Sequence, residues 1–312
     1  MNMQQLEYIE AVDRFKNFTK AAEYCNVTQA TLSAMIKKLE AELGVVIFDR
    51  KRNPVVTTDT GKQILREAHI ITEHARLLKT AAVSGKTEVS GTIRMGIIPT
   101  VASSLLPKIT KPLLEAYPKL SLEIIEHPTQ VLLEKMQEGK IDLGILSSPV
   151  HAVDVAEELL YHEALLVYGS IKGTKKYLIP EEVRKHKIWL LEEGHCLRDQ
   201  FVRLCALRKK EIQPGNLKFQ ANSLDTLLNM VDAFGGITLI PELYYKGLPR
   251  QKKANIRFFS KPFPVREISM IYPTPYARKH VMQAIATLIR KRVQNELMTS
   301  HYQIAETTVV DL

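Results

Sequence analysis

Apolar residues recur at helical spacing over the first fifteen positions, with Leu6, Ile9, Val12 and Phe15 on one stripe. Asn17 or Thr19 is placed to cap a second short helix around residues 21–24. Asn26, Val27 and Thr28 interrupt the pattern, and Thr28 stands where the N-cap of a third helix belongs. That helix gathers Leu32, Met35, Ile36, Leu39 and Leu43 on one face, at steps of three and four. Its other face carries Gln29, Thr31, Ser33, Lys37 and Lys38, and Gly44 follows as a C-cap glycine. Two short helices joined by a tight turn predict a helix-turn-helix, whose second helix enters the major groove of double-stranded DNA. Polar side chains at its start, Thr28, Gln29, Thr31 and Ser33, face base edges, and Lys37 faces phosphate.

The next stretch, VVIFDRKRNPVVTTDTG, holds two β-type runs around Asn53 and Pro54, which predicts a hairpin wing. Arg50, Lys51 and Arg52 are bunched where a phosphate backbone would pass; the plainer alternative is a solvated basic turn. From residue 60 to about 82 one long helix is expected. Ile64, Ile71 and Leu78 fall seven apart, as do Ala68, Ala75 and Ala82, so together they form a short heptad seam. Such a seam pairs with a second copy or packs on its own domain. A Ser/Gly hinge follows at residues 84–91.

Beyond Gly91 strands and helices alternate: TIRMGIIP, a helix near 103–116, LSLEIIE, a helix near 130–138, then IDLGILS. This alternation predicts a mostly parallel sheet with right-handed crossovers. It restarts after Glu158 with LLYHEALLVYG, IWLL and GITLIP, which points to a second α/β lobe, and VREISMIYP and a helix near 275–295 close the chain. Thr100, directly after a strand, and Thr129, at the head of a helix, occupy places where such folds bind ligands, though each also suits a plain helix cap. The polar tail after Met298 is expected to be disordered.

Length and composition narrow the reading. At 312 residues the chain exceeds the roughly 100–200 residues of one domain, and its 45% hydrophobic and 25% charged content is that of an ordinary globular protein. No apolar run approaches the roughly 18 residues that span a bilayer, and Glu7, Glu10 and Asp13 exclude a signal peptide. Cys25, Cys196 and Cys205 are too few for a secreted disulfide framework, so a cytoplasmic protein with reduced thiols is expected. The net charge of +9 does not locate a DNA surface: residues 1–82 carry a surplus of only two positive charges. Most of the excess lies near residues 172–187 and at Arg208, Lys209 and Lys210. His74, His127, His162 and His186 are scattered singly, and no metal, nucleotide-cofactor or Ser/His/Asp pattern appears in the sequence.

The segment LLEEGHCLRDQFVRLC carries the sharpest chemistry. Cys196 follows a glycine at the expected start of a helix, with His195 and Arg198 adjacent, and a helix N-terminus with cationic neighbours lowers a thiol pKa. An isolated cysteine is more often a small buried apolar residue; a second one nine positions on changes the weighing. On one continuous helix the Cα atoms of Cys196 and Cys205 would stand about 13–14 Å apart. A disulfide needs roughly 4.4–6.8 Å. Bonding therefore requires the helix to unwind, which is what a redox switch needs: oxidation of Cys196 to sulfenic acid, then condensation with Cys205.

The run NFTKAAEYCNVTQATLSAMIKKLEAELGVVIFDR followed by TTDTG closely resembles the winged helix-turn-helix of LysR-type transcriptional regulators. Ala30, where that family usually has proline, and Thr60, where alanine is usual, are departures. The two α/β lobes resemble the family's periplasmic-binding-protein-like effector domain. The expected organisation is thus a winged helix-turn-helix (1–60), a linker and dimerisation helix (61–83), the hinge (84–91), a two-lobed α/β regulatory domain (92–298) and the tail (299–312). The motif GHCLRDQ, with GIIPTVASSLLP and SLDTLLNMV, is similar to the hydrogen-peroxide-sensing members of the family. That likeness implies that Cys196 reacts with peroxide, that Cys205 resolves it, and that Thr100, Thr129, His195 and Arg266 bind and polarise peroxide. It also implies a homotetramer, a dimer of dimers, that acts on promoter DNA and recruits RNA polymerase to activate transcription. Two other readings stand beside it: a LysR-type regulator of a small metabolite with incidental cysteines, and a thiol peroxidase, for which residues 1–90 have no use.

Overall fold

The computed structural model describes residues 1–83, 88–150, 152–171, 177–207, 219–274, 276 and 278–310. The expected hinge falls partly, and the basic triplet at 208–210 wholly, outside the described residues. The chain divides into two compact units, Met1–Glu88 with Gln137–Lys140, and Val89–Met136 with Ile141–Leu312.

In the first unit, helices α1 (Met3–Phe15), α2 (Phe18–Tyr24) and α3 (Gln29–Leu43) each start at a polar cap. Asn2 forms a capping box with Gln5, the Asn17 side chain accepts from the Thr19 and Lys20 amides, and Thr28 accepts from the Thr31 amide. Gly44 closes α3 in the left-handed region, with φ +68°. Leu6, Ile9, Val12, Ala21, Leu32, Ile36 and Leu39 bury their side chains in one core. Two residues depart from the expected stripe: Met35 is half-buried, and Leu43, in the last turn, is 37% exposed. The wing is a short antiparallel pair, β1 (Phe48–Asp49) and β2 (Val56–Thr57). Helix α4 (Asp59–Val83) follows as expected. Its entry explains the TTDTG run. Thr58 Oγ1 donates to Val46 O at 2.7 Å and accepts from Gly61 N at 2.9 Å. A Cβ on Gly61 would lie 2.3 Å from Ile47 O, so only glycine lets the helix approach that backbone.

The second unit holds two cores. The first lobe contains β3 (Gly91–Ile97), α5 (Pro99–Ala116), β4 (Leu120–Glu126), α6 (Thr129–Gln137) and β5 (Leu143–Ser148). The long strand β6 (Val155–Gly169) then runs from that core into the other: Leu160 and Tyr161 pack in the first, Ala164 to Tyr168 in the second. The second lobe adds β7 (Tyr177–Leu178), α7 (Pro180–Val183), α8 (Cys196–Leu204), α9 (Leu224–Phe234), β8 (Ile237–Pro241), α10 (Glu242–Gly247), α11 (Arg250–Lys253) and β9 (Ile256–Phe259). Strand β10 (Phe263–Pro273) returns alongside β6, and α12 (Lys279–Val293) covers the first core.

Strand order is β4-β3-β5-β10-β6-β9-β7, with β8 also on β6. The first lobe's β3 pairs parallel with β4 and β5, as alternation requires. The expectation of a mostly parallel sheet does not hold beyond them. Strands β6 and β10 are antiparallel to each other, β10 to β5, and β6 to β8 and β9. The chain crosses between lobes on two neighbouring strands of opposite direction, a geometry that local alternation does not encode. Residues 188–191, expected as a strand, make only isolated bridges at Ile188 and Leu191. Residues 299–310 of the tail adopt defined structure, against expectation. They form two short 3-10 turns (Met298–His301 and Ile304–Glu306) and a last strand, β11 (Thr307–Val309), parallel to β10.

Candidate functional site

Helix α8 begins at Cys196 because Gly194 turns the chain with φ +94°, a conformation that side chains disfavour, and His195 takes the N-cap position. Cys196 is buried, and its Sγ lies 2.9 Å from Thr129 Oγ1 at the head of α6. The His195 ring is buried as well. Its Nε2 has no hydrogen-bond partner among the described residues, and Glu192 Oε1 stands 3.7 Å away.

At the point where β6 and β10 cross between the lobes, Arg266 and Glu163 are direct cross-strand partners. Both are fully buried. Arg266 donates from Nε and Nη2 to Glu163 Oε1 at 2.9 and 2.7 Å, and from Nη1 and Nη2 to the Thr100 hydroxyl and carbonyl at 3.1 and 3.3 Å. Glu163 Oε2 accepts the Leu243 amide at 3.1 Å, so the carboxylate is held from two sides. The positive charge of Arg266 reaches Cys196, where it favours the thiolate. The structure therefore brings Thr129 to Cys196 and Thr100 to Arg266. Glu163 was missed in the sequence. Its signal was a lone acid inside the apolar run LLYHEALLVYG, because a buried carboxylate demands a cationic or hydrogen-bonding partner.

The expectation of a lowered Cys196 pKa is corrected. Burial pushes the resting thiol up, against the smaller opposing effects of the Thr129 hydrogen bond and the Arg266 charge. The two neighbours invoked from sequence do not help. Burial holds His195 below its ordinary value, which favours the neutral ring. Arg198 turns away, donating to Leu191 O at 2.9 Å and lying 3.6 Å from Glu193. Cys205 caps the other end of α8, in the second core beside Leu197 and Phe201, and burial pushes its thiol up to about 12. Both thiols are free. With α8 intact, their Cα atoms are about 13 Å apart by helical rise.

On the first unit, Gln29, Thr31, Lys37 and Arg52 are exposed on α3 and the wing. Thr28, Ser33 and Arg50 have internal partners, and so do two of the exposed residues: Thr31 bonds Thr28, and Arg52 Nε lies 3.4 Å from Asp49 Oδ2. Thr28 caps α3 and bonds Thr31 at 2.8 Å between hydroxyls. Arg50 is only partly exposed. It donates to Ser33 Oγ at 2.9 Å and Glu40 Oε2 at 2.7 Å, and lies over the Phe18 ring. It ties the wing to α3 through side chains seventeen residues apart, which spacing does not reveal.

Among the described residues no cluster of His, Cys, Asp and Glu is arranged to hold a metal. No described helix is long and apolar enough to cross a membrane.

Residues 3–62 match the family model of bacterial regulatory helix-turn-helix proteins of the lysR family, and residues 86–294 match the LysR substrate binding domain. The hydrogen peroxide-inducible genes activator of Haemophilus influenzae is 33% identical over 301 residues, 95% of this chain and 99% of that protein. The DNA-binding transcriptional dual regulator OxyR of Escherichia coli is 34% identical, covering 94% of this chain and 96% of its own. Among solved structures, a full-length OxyR mutant from Pseudomonas aeruginosa superposes with a TM-score of 0.81 at 29% identity, over 93% of this chain and 98% of that one. A hydrogen-peroxide-bound OxyR mutant from Corynebacterium glutamicum gives 0.62 at 25% identity, over 98% of both chains. The matched models span both units, and the chain belongs to the LysR family of bacterial transcriptional regulators.

Proposed function

We propose that the protein is a cytoplasmic, hydrogen-peroxide-responsive activator of transcription, switched by a reversible bond between Cys196 and Cys205. The observation that carries the reading is the buried cluster at the head of α8: Cys196 beside the Thr129 hydroxyl, a neighbouring buried His195 whose Nε2 makes no hydrogen bond, and the buried Arg266–Thr100 pair. The names of the relatives, an activator of hydrogen peroxide-inducible genes and a hydrogen-peroxide-bound OxyR, support it.

In the first step the Cys196 thiolate attacks one peroxide oxygen and the O–O bond breaks. The departing hydroxide takes the thiol's proton and leaves as water, and Cys196 becomes a sulfenic acid. Thr129, Thr100, His195 and Arg266 supply hydrogen bonds and positive charge to the breaking bond. In the second step the Cys205 sulfur attacks Cys196 Sγ. The S–S bond forms, and the sulfenic oxygen leaves as water with the second thiol's proton. The two thiols are jointly oxidised, and peroxide is reduced to two waters.

Because burial holds the Cys196 thiol above its ordinary range, its reactive fraction rises with pH. The rate of sulfenic acid formation is expected to climb about tenfold per pH unit from 7 to about 8.5, without a plateau. Stopped-flow tryptophan fluorescence or dimedone trapping in Cys205→Ser reads this directly; a plateau near pH 6 would contradict it.

DNA is read by the exposed Gln29 and Thr31 at the head of α3, Lys37 and Arg52 serve phosphates, and Arg50 with Ser33 holds the wing in place. Helix α4 leaves Ile71 40% and Leu78 75% exposed on the single chain, which supports pairing along the heptad seam with a second copy. Two such dimers form the tetramer that presents promoter DNA to RNA polymerase. The reading is tested by peptide mass spectrometry of the peroxide-treated protein. A Cys196–Cys205 peptide two hydrogens lighter is expected; Cys196 going directly to sulfinic acid with Cys205 untouched counts against the switch.

A further inference from the structure

The tail departs from every expectation drawn from its composition, and its last strand ends on the sensor helix. Gln200 lies one turn beyond Cys196 on α8, on the same face and completely buried. Its Nε2 donates to two acceptors, Ser147 Oγ at 3.2 Å and the Val310 carbonyl at 3.1 Å. Val310 also packs its side chain into the second core, which contains Leu197, Phe201 and Cys205. Its amide donates to Val265 O at 2.8 Å. Strand β11 pairs with β10 over Phe263, Pro264 and Val265, ending one residue before Arg266.

Upstream, the tail is tied down independently of α8. The Met298 amide donates to Glu242, Thr299 Oγ1 donates to His162 O at 2.6 Å, Tyr302 stacks on Phe263 with ring centroids 4.6 Å apart, and Glu306 pairs with Lys261. None of these anchors depends on the helix that carries the thiols. The tail is therefore a fixed support, and α8 is the element that has to move.

We infer that residues 307–310 form a strap that positions α8 in its helical, thiol-bearing register, so that this strand sets how fast an oxidised Cys196 is joined to Cys205. The inference rests on the redox reading above. A separation of about 13 Å has to fall below about 7 Å before the sulfurs meet. The turn that carries Gln200 lies between them and opens in the process. Opening it breaks both Gln200 hydrogen bonds and withdraws the apolar face of α8 from Val310. The strap plays no part in the attack on peroxide, because Cys196, Thr129 and Arg266 keep their places until the helix opens. It acts on the second step alone.

The test compares the full chain with a chain ended at Glu306, using hydrogen peroxide as the probe. Sulfenic acid formation is followed by dimedone trapping in the Cys205→Ser background of each, and disulfide formation by quenched-flow mass spectrometry in the parent of each. The first rate is expected to agree within about twofold. The second is expected to rise on the order of fivefold in the shortened chain, the worth of one buried hydrogen bond. Val310→Ala, which keeps the carbonyl and shortens its apolar anchor, is expected to move the second step in the same direction by a smaller factor, and it carries the test if the shortened chain does not fold. In a Gln200→Leu background the truncation is expected to add no more than Val310→Ala does, since the hydrogen-bonded part of the strap acts through that side chain and only the apolar contact is left to lose. Equal disulfide rates with and without the strand, equal changes in both steps, or a truncation effect as large in Gln200→Leu as in the parent would each overturn the strap. A full chain that forms no Cys196–Cys205 bond at all would instead remove the redox reading on which the strap depends.

Discussion

Cys196→Ser is expected to abolish every response to peroxide while leaving DNA affinity at a fixed salt concentration within about twofold. Serine keeps the size and the hydrogen-bonding capacity that faces Thr129 Oγ1 at 2.9 Å, so the head of α8 keeps its structure. What it loses is a polarizable atom that attacks an O–O bond; an alcohol is barely ionised at neutral pH. The residues proposed to read DNA belong to a different compact unit from Cys196. Gel-shift titration and in vitro transcription, each with and without peroxide, separate the two properties. A Cys196→Ser protein that still switches on peroxide would favour a regulator that answers a small metabolite.

The second large effect concerns the buried pair at the lobe crossing. Glu163→Leu leaves the Arg266 guanidinium in the interior with only Thr100 as partner, and Arg266→Met leaves the carboxylate with only the Leu243 amide. Each single change is expected to cost about 3–5 kcal/mol of stability in urea denaturation, the usual cost of an uncompensated buried charge. The double variant Glu163→Leu/Arg266→Met is expected to recover most of that stability, because an apolar pair removes both desolvation penalties. Peroxide reactivity should not recover with it. Without the guanidinium no fixed positive charge meets the thiolate and the developing hydroxide, and sulfenic acid formation should fall by about 10²-fold in both Arg266→Met and the double variant. Recovery of rate along with stability would mean that Arg266 serves the fold alone.

How far these features were legible in the sequence follows from how local their causes are. The caps at Asn17 and Thr28, the stripe of Leu32, Ile36 and Leu39, and the glycine that ends α3 are set within a turn or two of chain, and periodicity reads them directly. The two cysteines were legible for the same reason, since both lie on one helix of known rise. The cluster of side chains around Cys196 was not. Arg266 is separated from Glu163 by 103 positions and from Thr100 by 166; the register of β6 against β10 makes the first pair neighbours, and the position of α5 makes the second. The pKa of Cys196 was misread from its adjacent residues, because burial is the largest influence and depends on everything packed around the thiol. The tail was misread because composition reports solubility, whereas its order comes from main-chain pairing with β10, a buried valine and side-chain ties to residues far away in sequence, such as Tyr302 on Phe263 and Thr299 to His162.

Amide hydrogen exchange along residues 196–205, measured by mass spectrometry on the fully reduced protein and on the same protein after one equivalent of peroxide, tests the central claim that the two covalent states need two backbones. Slow exchange in the reduced protein, replaced after oxidation by exchange at least about tenfold faster across α8, is the predicted result. Disulfide-bonded protein that retained the reduced protein's protection over the same residues would contradict it.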